Sequence, residues 1–173
     1  RDAEPRAMRG STVRRQRAMA EAKLTWGVKE SFRNYVEGAG GSIETSGGAE
    51  RRADGTFSFE PAPGPGLKIG GDGRPQGQAM FTGEVRFAAH GGMLQVCLAD
   101  PQGVIGPDKA IISVMDSPMR DRRVEIAKLN VAGAVTGIGG ELVIPAAITI
   151  EGYQVLGDHY PPGTALDPVM IRV

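Results

Sequence analysis

The stretch Ala79-Met-Phe-Thr-Gly-Glu-Val-Arg-Phe-Ala-Ala89 says most about the fold of this 173-residue chain. Its large apolar side chains, Phe81, Val85 and Phe87, recur at even spacings with polar residues between them. That alternation is the pattern of a β-strand that buries one of its two faces. The stretch therefore predicts a strand.

A tight turn and a second strand follow directly. His90-Gly-Gly92 is a turn signal, and Met93-Leu-Gln-Val-Cys-Leu98 has the composition of a partner strand. Two such strands joined by a short glycine-containing turn form an antiparallel hairpin. We therefore expect His90 to lie at the tip of a hairpin.

Short strands and turns continue along the rest of the chain, in keeping with its 26 glycines and 12 prolines. Further strands are predicted at residues 56–60, 110–115, 123–131, 142–151 and 169–173. A Pro/Gly-rich loop at residues 61–77 is interrupted by Leu67-Lys-Ile69, and residues 133–140 form a second loop. Pro145 has no N–H to give to a sheet, so it predicts an edge or a bulge. The pattern favours a mainly β fold, a sandwich or a barrel that carries a small helix.

One helix is predicted upstream, at residues 24–37, because its apolar residues recur at helical spacing. Ser31 and Tyr35 are four residues apart, so a helix places them on one face, one turn apart. That face also holds Val28 and Phe32, and we expect it to point inward. On composition alone Tyr35 would be a half-buried core residue.

The charges balance over the whole chain, with 20 basic and 20 acidic residues. This balance gives no electrostatic reason to expect binding to nucleic acid or to a membrane surface. Residues 1–20 are different, because they hold six arginines and two acids. This basic arm, helical in part at residues 8–22, either docks an acidic partner or is a solvated terminus.

The sequence lacks the sets of residues that most enzyme active sites and metal sites require. The sequence has one cysteine, Cys97, and two histidines, which cannot build a typical closed zinc site. No phosphate-binding glycine loop, HExxH motif or nucleophile elbow occurs, and no apolar stretch is long enough to span a membrane. We therefore expect no enzyme, and no signal peptide is visible.

Four strings, taken in order, resemble the HtaA-type haem-binding domain of secreted and cell-surface haem-uptake proteins. They are Leu24-Thr-Trp-Gly-Val-Lys-Glu-Ser-Phe-Arg-Asn-Tyr35, Gly55-Thr-Phe-Ser-Phe59, Phe81-Thr-Gly-Glu-Val-Arg-Phe-Ala-Ala-His-Gly-Gly-Met-Leu94 and Tyr160-Pro-Pro-Gly-Thr-Ala-Leu-Asp-Pro168. The match runs from about Leu24 to the C-terminus. It therefore predicts a basic arm at residues 1–22 and an HtaA-like domain at residues 23–173.

The resemblance implies an antiparallel β-sandwich with one or two short helices that holds one haem (Fe-protoporphyrin IX). It implies that Tyr35 is the axial iron ligand, that His90 hydrogen-bonds the ligand oxygen, and that Ser31 contacts a haem propionate. The family often has two consecutive aromatic residues before its Pro-x-Gly-Thr turn, where this chain has His159 and Tyr160. His159 is either a sixth ligand or a wall of the pocket.

The function that the resemblance implies is binding of ferric haem through a tyrosinate and its transfer during haem uptake. Partners would be haem, and haemoproteins or downstream haem-uptake components. The location would be secreted, periplasmic or at the cell surface. The alternative is a haem-free β-sandwich interaction module that binds a carbohydrate or a protein.

Overall fold

A computed structural model describes residues 23–116 and 121–172, so the arm at residues 1–22 and its predicted helix lie outside the described residues. The strands are β1 Leu24–Trp26, β2 Ser42–Ser46, β3 Ala49–Arg51, β4 Phe57–Pro61, β5 Gly66–Ile69, β6 Pro75–Thr82, β7 Glu84–Ala89, β8 Leu94–Ile105, β9 Ala110–Met115, β10 Arg123–Leu129, β11 Val135–Thr136, β12 Leu142–Ile148 and β13 Ala165–Ile171. The helices are α1 Glu30–Gly38 and α2 Ile150–Val155, with single 3₁₀ turns at His90–Gly92 and Val131–Gly133.

Eight of the strands form a closed barrel, in the order β8, β9, β10, β12, β13, β1, β4 and β6. Pairing of β6 with β8 closes the ring, and every pairing is antiparallel. The expected β-sandwich is therefore replaced by a barrel, because hydrogen bonds run continuously round the described strands. Closure pairs strand edges that two separate sheets would leave open. The mainly β class and the two short helices are confirmed.

The opening stretch is two strands, not one. The chain bends at Gly83, whose φ of 136° is open to glycine and costly for other residues. A Cβ at this position would lie 2.6 Å from the backbone nitrogen of Ala49. The bend directs β6 and β7 to different halves of the long strand β8, with Gly77 opposite Ile105 and Glu84 opposite Ala99.

The predicted helix at residues 24–37 is wrong in its first part. Leu24–Trp26 is a strand that pairs with both β4 and β13. The chain then reverses at Val28, which has a φ of 64°, and α1 begins at Glu30. Pairing on both edges of β1 overrides the helical periodicity that the sequence displays.

The helix face that points inward also differs from the prediction. Phe32, Arg33 and Val36 are the buried residues of α1, whereas Tyr35 is 41% exposed and Ser31 is exposed. In a helix that starts at residue 30, Phe32 and Val36 are the apolar residues that decide which face packs on the core. Phe32 meets Phe87 of β7 at 5.0 Å between ring centroids, so α1 packs on the hairpin that ends at His90.

The strands predicted in the second half of the chain are present, although β13 begins at Ala165 and not at residue 169. The helix α2 and the short strand β11, inside the predicted loop at residues 133–140, were not predicted. The predicted strand at residues 110–115 is β9, and the ladder between β12 and β13 shifts register around Pro145, which confirms the bulge. The predicted strand at residues 142–151 ends at Ile148, because Thr149 caps α2 by accepting a hydrogen bond from the Gly152 nitrogen. No helix among the described residues has both the length and the apolar character needed to cross a bilayer.

Candidate functional site

Tyr35 and His90 meet across α1 and the turn between β7 and β8. Tyr35 Oη lies 2.7 Å from His90 Nε2, and the two ring centroids are 5.7 Å apart. His90 begins the 3₁₀ turn with a φ of 55°, and Gly91 continues it at 63°. The predicted position of His90 at the tip of a hairpin is therefore confirmed, and this backbone directs its ring towards the helix.

His159 also packs against the Tyr35 ring. Its ring centroid lies 4.9 Å from that of Tyr35 and 6.5 Å from that of Tyr160. The chain reaches this position through Gly157 and Asp158, which follow α2 with φ values of 76° and 62°. These two residues turn the imidazole back over α1.

Ser31 and Tyr160 form a second polar pair, one helical turn before Tyr35. Ser31 Oγ and Tyr160 Oη are 2.9 Å apart. The Tyr160 ring meets Phe32 at 6.3 Å between centroids, and Lys29 Nζ lies 5.2 Å from the centre of the same ring. The tyrosine therefore lies between the apolar core and a polar surface.

The five predicted site residues thus lie in one patch, here called the tyrosine–histidine cluster: Ser31, Tyr35, His90, His159 and Tyr160. They come from α1, the β7–β8 turn and the segment between α2 and β13. The patch is open, since Tyr35 is 41% exposed and neighbouring Met93 is 91% exposed. An accessible phenol oxygen beside an imidazole nitrogen can bind a hard Lewis acid and share a proton.

A charged pair that was not predicted from the sequence, buried Arg33 and half-buried Asp167, anchors the start of α1. Arg33 is 6% exposed, and its Nη1 donates to Asp167 Oδ2 at 2.6 Å and to the Gly27 carbonyl at 2.6 Å. Asp167 Oδ1 accepts from the Glu30 nitrogen at 3.0 Å. The Asp167 carbonyl accepts from Trp26 Nε1 at 2.8 Å. Arg33 and Asp167 both lie within the quoted family strings, which was the signal available for them.

The other end of α1 is tied to β3. Arg51 Nη2 donates to Glu37 Oε1 at 2.6 Å. This hydrogen bond lowers the pKa of the Glu37 carboxyl below its usual range. Both ends of the helix thus have side-chain contacts to neighbouring strands, and its exposed face carries Ser31 and Tyr35.

Other reactive residues in the described parts of the chain have structural partners. Cys97 is buried and donates through Sγ to Glu84 Oε1 at 3.3 Å, and Ser113 Oγ accepts from Arg123 at 3.2 Å. Burial lowers the pKa of Arg123.

No group of three or more His, Cys, Asp or Glu side chains that could hold a metal ion occurs in the described parts of the chain. A cavity of 620 Å³, bordered by Arg74, Lys128 and Pro145 among others, contains none of the cluster residues.

Three solved structures have the same fold. The C-terminal domain of HtaA from Corynebacterium glutamicum is 26% identical, with 87% of this chain and 93% of that chain covered and a TM-score of 0.66. The N-terminal domain of HtaA from the same organism is 24% identical, with coverages of 89% and 98% and a TM-score of 0.67. Heme binding protein HtaB, also from that organism, is 19% identical, with coverages of 86% and 90% and a TM-score of 0.63.

A family model for HtaA, described as Htaa, matches residues 21–172. The comparison with curated proteins gave no match. The family match spans the whole described structure, including every member of the tyrosine–histidine cluster. This chain therefore belongs to the HtaA family.

Proposed function

We propose that this chain binds ferric haem, Fe-protoporphyrin IX, with the Tyr35 oxygen as the iron ligand, and passes it on in haem uptake. The observation that carries the proposal is the 2.7 Å separation between Tyr35 Oη and His90 Nε2. A tyrosine free in water is a neutral phenol at pH 7 and a poor ligand. A hydrogen-bond donor on its oxygen favours the anionic form that a ferric ion prefers.

His90 is the donor in this proposal. A neutral imidazole with its proton on Nε2 donates to the Tyr35 oxygen, and Nδ1 is then the acceptor nitrogen. Transfer of the Nε2 proton from a doubly protonated His90 to the Tyr35 oxygen would leave a neutral phenol, which is a poor ligand and can detach. This pairing suits a carrier that must release its cargo, and we propose no catalytic reaction for the chain.

The residues present fit a haem. Tyr35 offers an exposed oxygen, Ser31 and Tyr160 offer hydroxyls for a carboxylate, and Met93 offers exposed apolar surface. Bound ferric iron would supply the positive charge that stabilises a phenolate. The tyrosine–histidine cluster thus has an oxygen for the metal, a donor for that oxygen and hydroxyls for the acidic edge of the macrocycle.

We assign His159 to the wall of this site. Its ring centroid lies only 4.9 Å from that of Tyr35. The two ring planes are tilted by 54° to each other, so the imidazole packs on the phenol ring and leaves no gap for a flat group between them. Because His159 contacts the Tyr35 ring, it would border a group that the Tyr35 oxygen holds, which is the role of a wall.

Membership of the HtaA family and the likeness to heme binding protein HtaB support a haem-related role. From them we also infer a location outside the cytoplasm, and exchange of haem with haemoproteins or with downstream uptake components. Residues 1–22 would be an arm before one haem-binding domain at residues 23–173.

Titration of the purified chain with haemin, followed by absorbance, tests the proposal. We expect a saturable Soret band at one haem per chain, together with the charge-transfer absorption of ferric tyrosinate. Absence of any Soret shift at micromolar concentrations would favour the alternative, a haem-free module for a carbohydrate or protein partner.

A further inference from the structure

Lys29 forms a small cationic group with the hydroxyls of the tyrosine–histidine cluster. Its Nζ lies 5.2 Å from the centre of the Tyr160 ring, and the Tyr160 hydroxyl lies 2.9 Å from Ser31 Oγ. Nζ also donates to the Ala165 carbonyl at 2.7 Å. This last hydrogen bond holds the ammonium group near the Tyr160 ring.

The charge of Lys29 is not neutralised within the described part of the chain, where it makes no ion pair with a carboxylate. Asp167, which hydrogen-bonds to the first residue of α1, is already engaged. Asp167 accepts from Arg33 through Oδ2 and from the Glu30 nitrogen through Oδ1. The ammonium therefore presents its positive charge to whatever meets the cluster.

The hydrogen-bond donors of this group that remain unused suit a carboxylate. An ammonium has three N–H donors, and the Ala165 carbonyl takes one of those of Lys29, so two remain. The hydrogen bond between Ser31 and Tyr160 uses one of their two O–H groups, so the other can donate outwards. Hydrogen bonds from an ammonium to a carboxylate are about twice as strong as neutral ones.

We propose that Lys29 is a specificity residue that makes the site select ligands with a free carboxylate. The inference rests on the proposed function, because the carboxylates in question are the propionates of haem. Ser31 and Tyr35 are four residue steps apart, which corresponds to a rise of about 6 Å along an α-helix. Lys29 thus fixes the acidic edge of the ligand at the start of α1 and leaves Tyr35 to the metal.

The test compares haemin with haemin dimethyl ester, in which both carboxylates are blocked, by absorbance titration. Wild type is measured beside Lys29→Met, which keeps the aliphatic stem, and Lys29→Arg, which keeps the charge. Lys68→Met, on the exposed strand β5, is the matched control for loss of one lysine charge. Circular dichroism of each variant verifies the fold.

We expect wild type to prefer haemin over its ester, and Lys29→Met to reduce that preference about tenfold. Lys29→Arg and Lys68→Met should keep the preference of wild type. An unchanged preference in Lys29→Met, or an equal loss for both ligands, overturns the role of Lys29 and leaves haem binding intact. Failure of wild type to bind either ligand overturns the proposed function itself.

Discussion

Tyr35 Oη and His90 Nε2 lie 2.7 Å apart, although 55 residues separate them in the sequence. Two local features produce this contact. The Phe32–Phe87 pair packs α1 on β7, and the left-handed backbone at His90 turns the imidazole from the end of β7 towards the helix. The contact is therefore built by the fold, and each half of it can be changed separately.

Replacing His90 with asparagine should weaken haemin binding about tenfold, the usual value for a hydrogen bond to a charged group. Asparagine tolerates the left-handed backbone better than most residues. Its amide lies closer to the backbone than His90 Nε2 does, so the substitution withdraws the donor from the Tyr35 oxygen with little backbone strain. Absorbance titration measures the effect, and size-exclusion chromatography verifies that the variant is unchanged in size. Affinity equal to that of wild type would show that His90 does not support the ligand oxygen.

Replacing His159 with alanine should weaken binding a few-fold and leave the spin state of the iron unchanged, because a wall residue is lost and not a ligand. Electron paramagnetic resonance of the ferric complex reports the spin state. Replacement by phenylalanine is the matched control, since it restores a flat wall without a nitrogen. A change from low-spin to high-spin iron in both variants would instead identify His159 as a sixth ligand.

Replacing Asp167 with asparagine should lower the free energy of unfolding by roughly 3 kcal/mol, because Arg33 then keeps a buried and unpaired charge. Urea unfolding followed by the fluorescence of Trp26, the single tryptophan, measures the loss. Glu60→Gln breaks the exposed ion pair with Lys23 and should cost less than about 1 kcal/mol. Equal losses in the two variants would contradict the anchoring role of Asp167.

Local patterns predicted much of this fold and missed what depends on distant partners. The strand β9 was predicted with its observed bounds, and Pro145 predicted an edge or a bulge, of which the structure shows the bulge. Leu24–Trp26 looked helical because its pairing with β4 and β13 is invisible to a local pattern. The β6–β8 pairing makes the fold a closed barrel and not a sandwich, and the sequence of neither strand predicts that pairing.

Local sequence patterns also predicted only part of the candidate site. Spacing alone placed Ser31 and Tyr35 on one helix face but assigned that face to the core, whereas Tyr35 is 41% exposed. The family strings joined Tyr35 to His90 across the sequence. The roles of Lys29 and Asp167 could not be predicted from local sequence, because both depend on contacts with distant residues. Lys29 and Ala165 are 136 residues apart, and Arg33 and Asp167 are 134 residues apart.

The absorption spectrum of Tyr35→Phe with haemin tests most directly whether the Tyr35 oxygen binds the iron. Phenylalanine keeps the ring packed against His90 and His159 and removes only the oxygen. We predict that the ferric-tyrosinate absorption disappears and that affinity falls by more than the roughly tenfold expected for His90→Asn. A spectrum and affinity identical to those of wild type would contradict the claim.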